Sequence, residues 1–111
     1  MKTIEEVRGL IDEFLMEEPV IRVNSEGIQK FHTFGDFINQ IFLVGDLEFW
    51  LNDVLYYIGA PRGELLIGWD NGEKQVVFSH GSKEEALLKL LTTKIKGFRL
   101  CDDWERINID L

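Results

Sequence analysis

Apolar residues recur along this chain with two periods, and the switches between them outline the elements. From the start, Ile4, Val7, Leu10, Ile11, Phe14 and Leu15 follow helical spacing, with Glu5, Arg8, Asp12 and Glu13 on the opposite side. Thr3 and Glu6 form a capping box, in which a hydroxyl and a carboxylate satisfy the free N–H groups of a first turn. A first helix therefore begins after Thr3, and Pro19 marks its end. Val20-Ile21-Arg22-Val23 has strand composition. The turn-formers Asn24-Ser25-Glu26-Gly27 then separate it from a second strand over Ile28 to His32.

Thr33 and Asp36 repeat the capping signal, and Phe34, Phe37, Ile38, Ile41 and Phe42 predict a short second helix broken at Gly45-Asp46. Asp46 suits an N-cap, and Leu47, Trp50, Leu51, Val54, Leu55 and Ile58 then recur at helical spacing. This predicts a third helix over 46–58, closed by Gly59 and Pro61. The clearest local signal follows: Glu64 to Asp70 and Glu73 to His80 flank Asn71-Gly72, a pair that tolerates the positive φ angles of a two-residue type I′ loop. With Asp70 opposite Glu73, Trp69 faces Lys74, Ile67 faces Val76 and Leu65 faces Phe78. Leu65, Ile67, Trp69, Val76 and Phe78 then share a core face, and Leu66, Gly68, Gln75 and Val77 lie on the other. Ser82 and Glu85 cap a fourth helix ending near Thr92, with Ala86, Leu87, Leu88, Leu90 and Leu91 suited to packing over the sheet. The tail runs through a polar turn, Asp102-Asp103-Trp104-Glu105, to the strand-like Ile107-Asn108-Ile109-Asp110. The expected fold is α+β: a single domain over 1–111, with about four helices packed on a small, mainly antiparallel sheet that includes the 64–80 hairpin.

Composition narrows the function. At 111 residues and 45% hydrophobic, the chain can bury a core without metal or disulfide staples. Its net charge of −8 opposes direct binding to nucleic acid or an anionic membrane, both of which need a basic surface. A basic protein partner fits that charge. Met1-Lys2-Thr3-Ile4-Glu5-Glu6 lacks the basic-then-apolar pattern of a secretory signal, and no apolar run approaches the ~20 residues that span a bilayer. Cys101 is alone, which suits a reducing compartment, so a cytoplasmic protein is expected.

Catalytic and metal chemistry find little support. His32, His80 and Cys101 are far apart in sequence and follow no metal-ligand spacing. Cys101 with His80 and Asp102 or Asp103 would supply a nucleophile, a base and an orienting group. Cys101 lies, however, between an apolar segment and a turn, where a cysteine commonly serves as a small hydrophobe. The glycines form no phosphate-binding loop. The expectation is a protein without metal or cofactor that is not an enzyme.

The charge is uneven: residues 1–57 hold eleven acids and four bases, and residues 58–111 nine acids and eight bases. A one-sided negative field steers a basic partner. On the predicted third helix, Phe49, Asn52, Asp53 and Tyr56 oppose the core stripe, with Asp46 and Tyr57 at its margin. Aromatic rings interleaved with acids suit an interface facing a basic protein, so these six residues are the candidate partner-binding set. If the domain covers this helix on both sides, Phe49 and Tyr56 are buried instead.

From Phe78-Ser79 through Ser82-Lys83-Glu84-Glu85-Ala86-Leu87, Leu90-Leu91, Ile95, Gly97, Leu100, Trp104, Ile107 and Ile109-Asp110, the chain resembles small bacterial immunity proteins of polymorphic or contact-dependent toxin systems. The resemblance covers about a third of the chain and brings no catalytic residues. It implies binding to a cognate toxin domain, often a basic nuclease, with neutralisation by charge complementarity and occlusion of the toxin's active site. The alternative expectation is a non-enzymatic adaptor or regulatory domain, homodimeric through the third helix.

Overall fold

Three of the four predicted capping residues, Thr3, Thr33 and Ser82, start helices where the sequence places them. The computed structural model describes residues 1–15, 17–23, 25–61, 64–79 and 81–110. In it, the Thr3 hydroxyl accepts from the Glu6 N–H and the Glu6 carboxylate from the Thr3 N–H, opening α1 (Ile4–Phe14). Thr33 and Asp36 make the same box for α2 (Phe34–Asn39), which continues as a π turn over Gln40–Val44 and stops at Gly45, where φ is +89°. The second oxygen of buried Asp36 also accepts from the Val20 N–H at 2.9 Å, tying the following strand to the helix start. Ser82 caps α3 (Lys83–Thr92) through the Glu85 N–H, and the Glu85 carboxylate pairs with Arg8 of α1.

Two expected elements are different. Residues 46–58 are not a helix: they form β3 (Leu47–Leu51) and β4 (Val54–Gly59). Asn52 and Asp53 join these strands at φ of +51° and +63°, the left-handed pair a two-residue hairpin loop requires. The polar turn near the end is a short helix, α4 (Leu100–Asp103), followed by a 3₁₀ turn over Trp104–Arg106. Lys2 clasps α4, its backbone N–H donating to Asp102 Oδ1 at 2.8 Å and its ammonium to the Cys101 carbonyl at 2.7 Å.

The remaining strands are β1 (Ile21–Val23), β2 (Gln29–Phe31), β5 (Leu65–Trp69), β6 (Lys74–Phe78) and β7 (Asn108–Ile109). They join β3 and β4 in one antiparallel sheet ordered β1-β2-β7-β3-β4-β5-β6, larger than the small sheet expected. The C-terminal strand thus links the N-terminal hairpin to the β3–β6 meander. Between β5 and β6 the register is the predicted one, Leu65 with Phe78, Ile67 with Val76 and Trp69 with Lys74. The loop is wider than two residues, with Asp70, Asn71 and Gly72 all at positive φ.

Helices α1, α2 and α3 pack together over one face of the sheet. The core between them includes Val7, Ile11, Phe37 and Leu87 from the helices and Phe49, Tyr56, Ile58 and Ile67 from the strands. Strand alternation sends every second side chain of the meander to the opposite face.

Candidate functional site

Across β3 and β4, Phe49 pairs with Tyr56, and these point inward. The flanking pairs, Glu48 with Tyr57 and Trp50 with Leu55, point outward. Register continues this outer layer through Gly68 and Leu66 of β5 to Gln75 and Val77 of β6. Trp50 and Tyr57 are each 43% exposed and Val77 47%, while Leu55 and Leu66 are half-buried. Trp50, Leu55, Tyr57, Leu66, Gly68 and Gln75 line a shallow depression of about 700 Å³.

Acids rim this depression. Asp53 and Asp70 belong to the β3–β4 and β5–β6 loops, which the meander brings to the same end of the sheet, and Glu48 stands beside Tyr57. At the other end Asp46 accepts a 3.4 Å hydrogen bond from the Tyr57 hydroxyl. Burial first, and the negative charge of Asp46 second, push the Tyr57 phenol above its ordinary pKa, so it stays a neutral donor at physiological pH. Toward β1 and β2 the sign reverses, where Arg22 and Lys30 form a cross-strand pair facing outward. Asn108, paired with Trp50, holds its side-chain oxygen buried with no hydrogen-bond partner among the described residues.

The structure divides the six predicted binding residues. Asp46, Asn52, Asp53 and Tyr57 are exposed, with Asn52 accepting from the Arg106 guanidinium. Phe49 and Tyr56 are 0% and 1% exposed and stack on each other in the core, ring centroids 5.4 Å apart, so they are not surface residues. A helix puts them opposite the 47, 50, 51, 54, 55 and 58 stripe, whereas strand alternation puts 49 on the side of 47 and 51, and 56 on the side of 58. The helical reading also missed Glu48, Trp50, Leu55 and Gly68. Their signal was available in Asn52-Asp53 and in the dense aromatic and β-branched residues around it, which favour a hairpin.

The other candidates are structural or fall outside view. Cys101 is buried in α4, and burial, reinforced by Asp102, raises its thiol pKa, which disfavours the nucleophilic thiolate. Burial works to raise the Asp102 carboxyl too, but the Lys2 N–H and the Arg99 guanidinium, at 2.9 Å, outweigh it and hold that carboxyl below its usual range. His80, invoked with Cys101, lies outside the described residues. His32 is exposed, and among the described residues no three His, Cys, Asp or Glu side chains converge as metal ligands. Among them, too, no helix is long and apolar enough to cross a membrane.

Fold and face together define an α+β protein with helices on one side of an antiparallel sheet and an acid-rimmed aromatic surface on the other. Compared with known proteins, the chain matches no family model, and neither a curated protein nor a solved structure shows significant similarity to it.

Proposed function

We propose that this chain is a binding protein whose open sheet face docks a basic protein, and that the partner is the catalytic domain of a cognate bacterial toxin, blocked by occlusion. The observation that carries this reading is the acid-rimmed aromatic depression on a sheet face that no helix among the described residues covers. Exposed Trp50 and Tyr57 would supply buried area and stacking, and Asp46, Glu48, Asp53 and Asp70 would pair with lysines or arginines and steer encounter. A nuclease suits this chemistry, because its own substrate is a polyanion and its active-site surface is correspondingly basic. The assignment to an immunity protein also rests on the C-terminal sequence resemblance.

The test is direct. The protein product of a toxin gene adjacent to this one should bind in calorimetry, lose activity in proportion to the complex formed, and bind more weakly as salt rises. Glu48→Lys with Asp53→Lys should weaken that complex by ~10-fold or more, through lost steering and like-charge repulsion. Unchanged affinity and salt dependence would remove this face from the interaction.

A second reading has its own observation. The outer face is acidic over the meander and basic at Arg22 and Lys30, so two copies laid antiparallel would complement each other. Light scattering at increasing concentration separates this homodimer from a monomer awaiting a different partner.

A further inference from the structure

Two glycines interrupt the open face, and packing explains only one. At Gly59 a Cβ would stand 2.8 Å from Tyr57 Cζ, because the Tyr57 ring leans along β4 and lies over that position. The ring needs the glycine. Gly68 is different. It occupies the middle of β5, which is paired on both sides, with Tyr57 opposite it on β4 and Gln75 on β6. Its backbone lies outside the left-handed region, so any residue type could adopt it. A Cβ there would meet the Lys74 carbonyl oxygen at 3.4 Å and Gln75 Cβ at 3.7 Å, which are ordinary contacts. A glycine inside a strand weakens it, and where the fold does not require one it commonly marks the close approach of another group.

The missing side chain leaves a notch one residue wide in the floor of the depression. Gly68 is itself buried, so the floor is a narrow strip of backbone between Tyr57, Leu66 and Gln75, with Glu48, Asp53 and Asp70 at the rim. A group entering it must be slender and apolar along its length, and cationic at its tip. An arginine side chain meets all three demands, and its planar guanidinium can also stack on Trp50 or Tyr57 while pairing with a carboxylate. A lysine ammonium would use the charge but not the stacking.

We propose that Gly68 is the floor of a subsite for a single arginine side chain inserted by the docked partner, walled by Tyr57 and Gln75 and charge-matched by the acidic rim. This deepens the reading of the open face as the docking surface for a basic protein and rests on it.

Thermal unfolding gives the first test. Gly68→Ala should melt at or above the parent temperature; a clear fall would show that the fold itself needs the glycine and would overturn the proposal. The second is an amide chemical-shift titration of the full chain with acetyl-arginine amide, using acetyl-lysine amide and acetyl-glutamine amide as controls. Arginine should shift Trp50, Tyr57, Gly68 and Gln75, with lysine weaker and glutamine inert, and Gly68→Val should lower arginine affinity roughly tenfold. Equal arginine binding by the parent and by Gly68→Val would sink the subsite. If Gly68→Val leaves both arginine and toxin binding intact while Glu48→Lys with Asp53→Lys abolishes toxin binding, the subsite fails and the docking face stands. If arginine seats in the notch but neither Gly68→Val nor Glu48→Lys with Asp53→Lys alters toxin binding, the partner does not use the notch, and the proposal fails together with the docking face.

Discussion

The two faces of the β3–β6 meander carry similar residues and meet opposite environments. Toward the helices, Phe49 and Tyr56 form a cross-strand pair that is at most 1% exposed. One position along, Trp50 and Leu55 form the next pair on the other face, where Trp50 remains 43% exposed. Full burial of a large apolar side chain contributes about 1.5–3 kcal/mol, so the outer face leaves stabilisation unused that the inner face collects. An antiparallel sheet covered on one side ordinarily turns polar residues to water on the other. This one alternates aromatic with aromatic. Side-chain type therefore does not decide which residues form the core; the covering helices do, and the apolar surplus marks a surface available for contact.

The most forceful challenge to that contrast is truncation on each side. Phe49→Ala should cost ~3–5 kcal/mol, read as a lower urea midpoint, through lost burial and an unfilled cavity beside Tyr56. A cost near that of a surface change would mean the inner face is not the core. Gly59→Ala comes next: the new methyl occupies the seat of the Tyr57 ring and must expel it, with an expected loss of ~1–2 kcal/mol and of the Tyr57 to Asp46 hydrogen bond. Trp50→Ala should cost ~1 kcal/mol, clearly less than Phe49→Ala because the ring is only partly covered, while weakening partner binding. Equal effects of Phe49→Ala and Trp50→Ala on folding would erase the distinction.

The smallest effect compares the two tyrosines. Both phenols lie above their ordinary value of 10.0, Tyr56 through burial and then Asp70, Tyr57 through burial and then Asp46. Their folded pKa values are raised, so this contribution to stability is complete below pH ~10 and is lost as pH climbs through the folded values. Asp46→Asn should lower the Tyr57 titration toward normal in phenolate absorbance and leave Tyr56 in place. Movement of both together would mean that the two faces are not electrically separate.

Local chemistry made much of the fold legible. Thr3, Thr33 and Ser82 mark helix starts because a capping hydroxyl acts on N–H groups within three residues of it. The β5–β6 register was readable from alternation about Asn71-Gly72, since Gly68, Gln75 and Val77 make its outer layer visibly different from its inner one. The β3–β4 hairpin lacked that contrast. With Trp50, Leu55 and Tyr57 outward and Leu47, Phe49, Leu51, Tyr56 and Ile58 inward, both layers are apolar, and the subset 47, 50, 51, 54, 55 and 58 imitates a helical stripe. The residues that make the candidate site are those that hid its secondary structure, as expected where a surface serves binding rather than folding.

By itself, then, the sequence determined the caps at Thr3, Thr33 and Ser82, the β5–β6 register, the α+β class and the acidic balance, all of which depend on neighbours within a few residues or on simple totals. Tertiary structure alone decided that 46–58 is a hairpin, that Phe49 and Tyr56 are core, and that acids from separate loops rim one aromatic depression. The reason is physical: a strand acquires an inside and an outside only when partner strands set its register and helices cover one face, and those contacts join residues far apart in the chain.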